Sequence, residues 1–389
     1  MEENITKLTF MLLRLVLCDE QLLDFEKETF SDKLLQELYA LARKHDMAHI
    51  AAQGLSDLGL LGTDEISAKF QKQQMLAVYR YQRLNYELER ICQTLEDAKI
   101  PFIPLKGSVI RQYYPEPWMR TSCDIDVLVH EEDLERAIEC LVTQHQYVNE
   151  GRNYHDVSLF SPNGVHVELH FDLIEDEYAN GANKLLSKVW DYASPKVGCQ
   201  YFFEMTDEMF YFYHMAHMAK HVEYGGCGIR PFLDLWILDH RVQHDPAQRD
   251  LLLEEGKLFT FAKACRKLSE VWFSNVLSDD VSIQMQKYIL HGGIYGNLDN
   301  RVAVQQKRRG GKVRYIMSRI FLSYDSLKVL YPTLQKHRWL TPIMQVRRWF
   351  RLLLKGRMKQ SLHELNVNQT MAQEKIAETA ELLTKLGLQ

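Results

Sequence analysis

Two aspartates separated by one residue, Asp124 and Asp126, stand in the stretch Arg120-Thr121-Ser122-Cys123-Asp124-Ile125-Asp126-Val127-Leu128-Val129. In a strand, side chains i and i+2 share a face, so both carboxylates stand side by side while Ile125, Val127 and Val129 point the other way. Two ionised carboxylates roughly 6 Å apart repel by about 3 kcal/mol at an effective dielectric of ~20. A partly buried pair therefore calls for a cation. Asp-x-Asp pairs also occur at ordinary exposed strand ends, so the surrounding residues decide the reading.

Upstream, residues 100–105 predict a short apolar strand, followed by the turn Lys106-Gly107-Ser108 and a helical stretch over 109–113. Backbone amides at a helix start, the Ser108 hydroxyl and the Lys106 ammonium suit a triphosphate, which makes Lys106, Gly107 and Ser108 candidate nucleotide ligands. Arg120 precedes Asp124 by four residues, where its guanidinium either holds a phosphate oxygen or pairs with an acid. Downstream, 165–172 reads Val-His-Val-Glu-Leu-His-Phe-Asp: the apolar residues face one way, and His166, Glu168, His170 and Asp172 the other. A strand with four ionisable groups on one face is not built for a core. Asn163-Gly164 gives a hairpin signal before it, predicting antiparallel pairing with 156–160.

Farther on, His214, His217, Lys220 and His221 follow at spacings of three and four, which aligns three imidazoles along one helix face. Three ligands from one straight helix rarely close a zinc tetrahedron. The alternatives are a cleft-lining face or a buried, hydrogen-bonded cluster. Gly225-Gly226 and then Arg230 and Asp234 follow at a flexible turn, and Tyr113, Tyr114 and Trp118 either stack on a base or pack.

Gly-Ser, a spacer, Asp-x-Asp on a strand and a third carboxylate on a later strand resemble the DNA polymerase β-like nucleotidyltransferase superfamily. Leu-Lys-Gly, Tyr-Tyr-Pro, Arg-x-x-x-Asp-Ile-Asp-Val-Leu-Val and Val-Glu-Leu-His-Phe look like its branch of largely uncharacterised bacterial nucleotidyltransferases. The resemblance covers roughly residues 95–240. Its relatives carry a similar His/Lys helix and Arg…Asp segment, which favours the cleft for His217, Lys220 and His221. It implies an α+β fold, a small mixed sheet core flanked by helical regions, and transfer of NMP from an NTP to an acceptor with pyrophosphate leaving. It also implies Mg²⁺, with Mn²⁺ as a substitute, held by Asp124, Asp126 and Glu168 as catalytic carboxylates. ATP is the favoured nucleotide; the acceptor, whether small molecule, protein or RNA, stays open. Two other readings stand beside it: a catalytically silent nucleotide-binding module, and a nucleic-acid-binding protein.

The latter rests on charge. Between 305 and 360, fifteen Lys and Arg stand against one acid, Asp325, a net +14 that leaves −19 for the rest of a chain totalling −5. Such a block can steer polyanions or an anionic membrane face, and Trp339, Trp349, Phe350 and 352–354 give it amphipathic character. The alternative is a solvated face on helices packed by Trp339, Trp349 and Leu353.

Of 389 residues, 46% are hydrophobic and 25% charged, enough for two or three packed units. Seven cysteines with no Cys-x-x-Cys pair argue against a disulfide framework or structural zinc, and a reduced, cytoplasmic setting is expected. The acidic N-terminus is unlike a signal peptide, and no stretch reaches the ~18 apolar residues of a membrane span. Leu34, Leu35, Leu38 and Leu41 form one helical stripe and 76–95 another, with a break at 59–64. A further helix over 132–143 buries Leu134, Ala137, Ile138 and Leu141. The expected division is a helical region (1–96), a nucleotidyltransferase core (97–200), a helical domain closing the cleft (201–300) and a basic helical region (301–389).

Overall fold

The computed structural model describes residues 2–18, 30–173, 181–354, 364 and 366–388. Four helices come first: α1 (Glu2–Leu17), α2 (Asp32–Lys44), α3 (Ala48–Asp57) and α4 (Glu65–Asp97). Ser31 caps α2 by accepting from the Leu34 amide, and Leu35, Leu38 and Ala42, spaced three and four apart, form its buried stripe. Asp64 caps α4 in the same way through Ser67, at the end of the break the glycines signal.

The β-rich stretch follows: β1 (Phe102–Pro104), the one-turn helix α5 (Gly107–Ile110), β2 (Asp124–Val129), α6 (Leu134–His145), β3 (Val148–Arg152), β4 (Asp156–Phe160) and β5 (His166–His170). The five strands form one mixed sheet in the order β1-β2-β5-β4-β3. β2 runs parallel to β5, whereas the β1–β2, β4–β5 and β3–β4 pairs are antiparallel. The Asn163-Gly164 turn joins β4 to β5, with Gly164 at φ +73°. The reverse face of the sheet is apolar, as the alternation dictates. Ile125, Val127, Val167 and Leu169 pack there against Leu84, Ile91 and Leu95 of α4 and Leu134, Ala137 and Leu141 of α6.

After α7 (Asn183–Leu186) and the small hairpin of β6 (Ala193–Pro195) and β7 (Phe203–Met205), the chain is helical. α8 (Asp207–Glu223), α9 (Arg230–Arg241), α10 (Pro246–Glu255), α11 (Phe259–Phe273) and α12 (Asp280–His291) share one apolar core with α1 to α3. Leu105 and Leu128 join that core from the sheet's polar side, so the helices cover one end of this face and leave its carboxylate end to a cleft. α13 (Leu298–Arg308), α14 (Lys312–Ile320), α15 (Tyr324–Leu330), α16 (Thr341–Leu354) and a last helix, Gln373–Lys385, complete the chain. None of the described helices is long and apolar enough to cross a membrane.

Candidate active site

The cleft, about 360 Å³, lies where the polar face of β2 and β5 meets α8, α9 and the turn after β1. Parallel pairing sets Asp124 opposite His166 and Asp126 opposite Glu168. Neighbours in register share a face, so four ionisable side chains form one patch on the floor. Donor atoms of Asp124, His166 and Glu168 lie within 4.8 Å of one another, as do those of Asp126, Glu168 and His170. Glu168 belongs to both sets.

Lys106 turns the chain from β1 into α5 with φ +48° and ψ −121°, a conformation that L side chains rarely adopt and that costs of order 1 to 3 kcal/mol. The strain places its Nζ 2.8 Å from Asp126 Oδ1. His170 Nε2 lies 3.0 Å from the same oxygen and 3.6 Å from Glu168. Gly107 permits close approach: a Cβ there would lie 3.2 Å from Arg120 Nη1 and 3.3 Å from Ser122 Cβ.

These contacts split the two aspartates. Burial opposes the charge of Asp126, but Lys106 and His170 outweigh it and hold the carboxyl far below the usual carboxylate range. Burial, and next the neighbouring Asp126, push Asp124 up. Burial disfavours the Lys106 ammonium, yet Asp126 holds it well above the usual lysine range. His170 follows the same pattern, raised against burial by hydrogen bonds to Asp126 and Glu168. The floor thus carries one compensated carboxylate and one held near it at a cost, the condition a divalent cation relieves.

The walls are built from distant segments. Arg120 donates from Nε to both oxygens of Asp234 at 2.8 and 3.0 Å, and the Tyr114 hydroxyl donates to Oδ1 at 2.7 Å. Arg120 thus pairs with an acid through Nε while lining the cleft. Arg230 pairs with Asp46, which also accepts from the Thr121 hydroxyl at 2.6 Å. On α8, His214, His217, Lys220 and His221 all line the cleft. His214 Nε2 is tied to the Pro231 carbonyl at 2.9 Å, whereas His217 and His221 stand with their Nε2 atoms 3.2 Å apart. Burial, His221 and Lys106 together hold His217 well below the usual histidine range, so it is neutral. Among the described residues, these imidazoles form no metal-type cluster.

Of the residues singled out in the sequence, Asp124, Asp126, Glu168, Lys106, Gly107, Arg120, His217, Lys220 and His221 line this one cleft. Ser108 does not; Ser122 lines it instead, its hydroxyl accepting from Arg111 at 2.9 Å. Tyr113 and Trp118 pack on the helical core and Tyr114 is buried at Asp234, so packing accounts for all three. Sequence reasoning did not assign His45, which is buried at the cleft and held to about 4 by burial and then Lys44, nor Tyr213 and Tyr295. The first and last of these come from segments far from the strands, with no local motif to mark them.

An α+β fold whose mixed sheet presents Asp-x-Asp and a third carboxylate to a helix-walled cleft, beside a Lys-Gly turn, defines the nucleotidyltransferase class. The chain belongs to the family described as uncharacterised nucleotidyltransferase, whose profile matches residues 31–274. A comparison with curated proteins finds no match. The family match takes in α2 to α4 and α8 to α11 as well as the sheet, and ends before the basic segment.

Proposed function

We propose that the protein transfers the nucleoside monophosphate of an NTP to an acceptor hydroxyl. The reading is carried by the convergence of Asp124, Asp126 and Glu168 on one cleft floor in a chain of a nucleotidyltransferase family. The donor set fits a divalent cation: carboxylate oxygens from adjacent strands, with Asp124 pushed up by burial and then by Asp126. When bound, Mg²⁺, or Mn²⁺ in its place, neutralises phosphate charge and polarises the reacting phosphorus.

The protein's own groups supply the rest. The acceptor oxygen attacks the α-phosphorus as the bond to the β-phosphate oxygen breaks and pyrophosphate leaves. Glu168, partly open to the cleft, takes the hydroxyl proton. Lys106, moving from Asp126 to phosphate, neutralises the triphosphate. Gly107, without a side chain, lets phosphate approach the backbone. Arg120 presents its guanidinium from a fixed position, since Asp234 holds its Nε. Neutral His217, with His221 and Lys220, faces the base, ribose or acceptor.

The test is incubation with each NTP labelled at the α-phosphate, with divalent metal and a cell extract as the source of acceptor. Label moving into a larger species, with pyrophosphate released, supports the reading. Tight NTP binding with no transfer points to the catalytically silent module.

A further inference from the structure

The basic segment lies outside the family match, and its charges fall into two groups. Some are structural: Arg308 pairs with the buried Glu223 at 2.7 Å, Arg319 with Glu364 at 2.6 Å, and Lys312 donates to the carbonyls of Gln369 and Met371. Lys355, Arg357 and Lys359 lie outside the described residues. Others, including Arg314, Lys336 and Arg351, are exposed.

The apolar residues around them are exposed too. On α14, Val313 (73% exposed), Met317 and Ile320, with Phe321 just beyond, follow at i, i+4, i+7 and i+8, a single stripe. On α16, Ile343, Val346 and Phe350 (61%) follow at i, i+3 and i+7. Helix periodicity sets Arg314 beside Met317, three residues on, while Arg351, about 100° round α16 from Phe350, borders that stripe. The two helices meet where the Phe321 and Trp349 rings stand edge-on at 5.5 Å and Trp349 donates to the Ile320 carbonyl. Trp339, between them in sequence, is 72% exposed, so it does not pack these helices as the alternative reading required. The side chain of Leu353 lies outside the described residues.

We infer that α14 and α16 form an interfacial surface that docks on an anionic lipid bilayer. Apolar stripes bordered by arginine, with an exposed tryptophan, match the boundary between headgroups and acyl chains. The basic side chains that stay exposed, Arg314, Lys336 and Arg351 among them, supply the attraction for acidic headgroups. A nucleic acid would use the arginines and leave the stripes in water. The inference does not depend on the chemistry of the cleft.

The test is flotation of the full chain with phosphatidylcholine vesicles, with and without phosphatidylglycerol, at low and high salt. The expected result is retention on the acidic vesicles alone, weakened by salt. It should fall at least about tenfold in the doubly exposed variant Ile343→Ser/Phe350→Ser, and similarly in Arg314→Glu/Arg351→Glu, the charge change costing about 1 kcal/mol per residue removed. Circular dichroism matching the parent shows that both variants fold. The inference is overturned by no retention, or by retention equal in parent and both variants. It is also overturned by RNA capture that survives Ile343→Ser/Phe350→Ser without vesicle binding, or by self-association that this variant abolishes with vesicles unbound.

Discussion

Replacing Asp126 by Asn in the metal-free protein removes the charge on which Lys106 and His170 converge. Asp126 is 4% exposed and the Lys106 side chain 24%. Removing one partner of a buried pair costs about 3 to 5 kcal/mol. The amide oxygen still accepts from both donors and Lys106 is partly solvated, which reduces the expected loss to about 2 to 3 kcal/mol. Asp124→Asn acts in the opposite direction. It removes a charge that burial and Asp126 disfavour, and relief of a repulsion of about 3 kcal/mol at most, offset by lost attraction to Lys106, leaves a gain of about 1 kcal/mol. The pH dependence has matching signs. Asp126, depressed in the folded state, stabilises above the ordinary carboxylate range and loses this as pH falls towards its folded value. Asp124, raised on folding, stabilises below the ordinary range, and that contribution is lost as pH rises through its folded value, so the Asp124→Asn gain vanishes in acid. Thermal melts with a chelator at neutral pH read both. A fall for Asp126→Asn and a rise for Asp124→Asn are expected; shifts of the same sign would refute the division of roles between the two carboxylates. Adding Mg²⁺ or Mn²⁺ should raise the parent's melting temperature by mass action and move neither variant comparably.

Lys106→Ala and Lys106→Gly should weaken NTP binding alike, by about 1.5 to 3 kcal/mol in calorimetry, for loss of a charged donor. The glycine variant should be the more stable by about 1 to 2 kcal/mol, because φ +48° suits it. Arg120→Ala takes the paired cation from buried Asp234 and leaves it the Tyr114 hydroxyl, so stability should fall by about 3 kcal/mol or more, and Arg120→Lys should not restore it fully. In Gly296→Ala the new Cβ would lie 2.4 Å from the Gly225 carbonyl carbon and oxygen at φ +71°, so denaturant melts should show a loss above about 2 kcal/mol.

Much of the floor was legible because strand alternation is local. Asp124, Asp126 and Glu168 each sit opposite a run of Ile, Val or Leu, and the Asn163-Gly164 turn fixes the β4–β5 pairing. The parallel pairing of β2 with β5 was not legible, since it joins residues 42 apart and no turn encodes it. Nor were the walls. Arg120 reaches Asp234 across 114 residues and Arg230 reaches Asp46 across 184, each pair set by helix packing. Ser108 and Ser122 show the same limit: both are near the strands in sequence, and only the tight return around Gly107 decides that Ser122 meets the cleft. In the basic segment, charge was countable in the sequence, but which arginines are spent on Glu223 and Glu364 was not.

The central claim, that the cleft transfers a nucleotide, is tested most directly by following NTPs labelled at the α-phosphate with parent, Asp124→Asn and Asp126→Asn proteins, divalent metal and cell extract. The account predicts labelled acceptor and released pyrophosphate with the parent, and a loss of orders of magnitude in both variants. No transfer from any NTP by a parent protein that still binds nucleotide, or transfer undiminished in Asp124→Asn and Asp126→Asn, would contradict it.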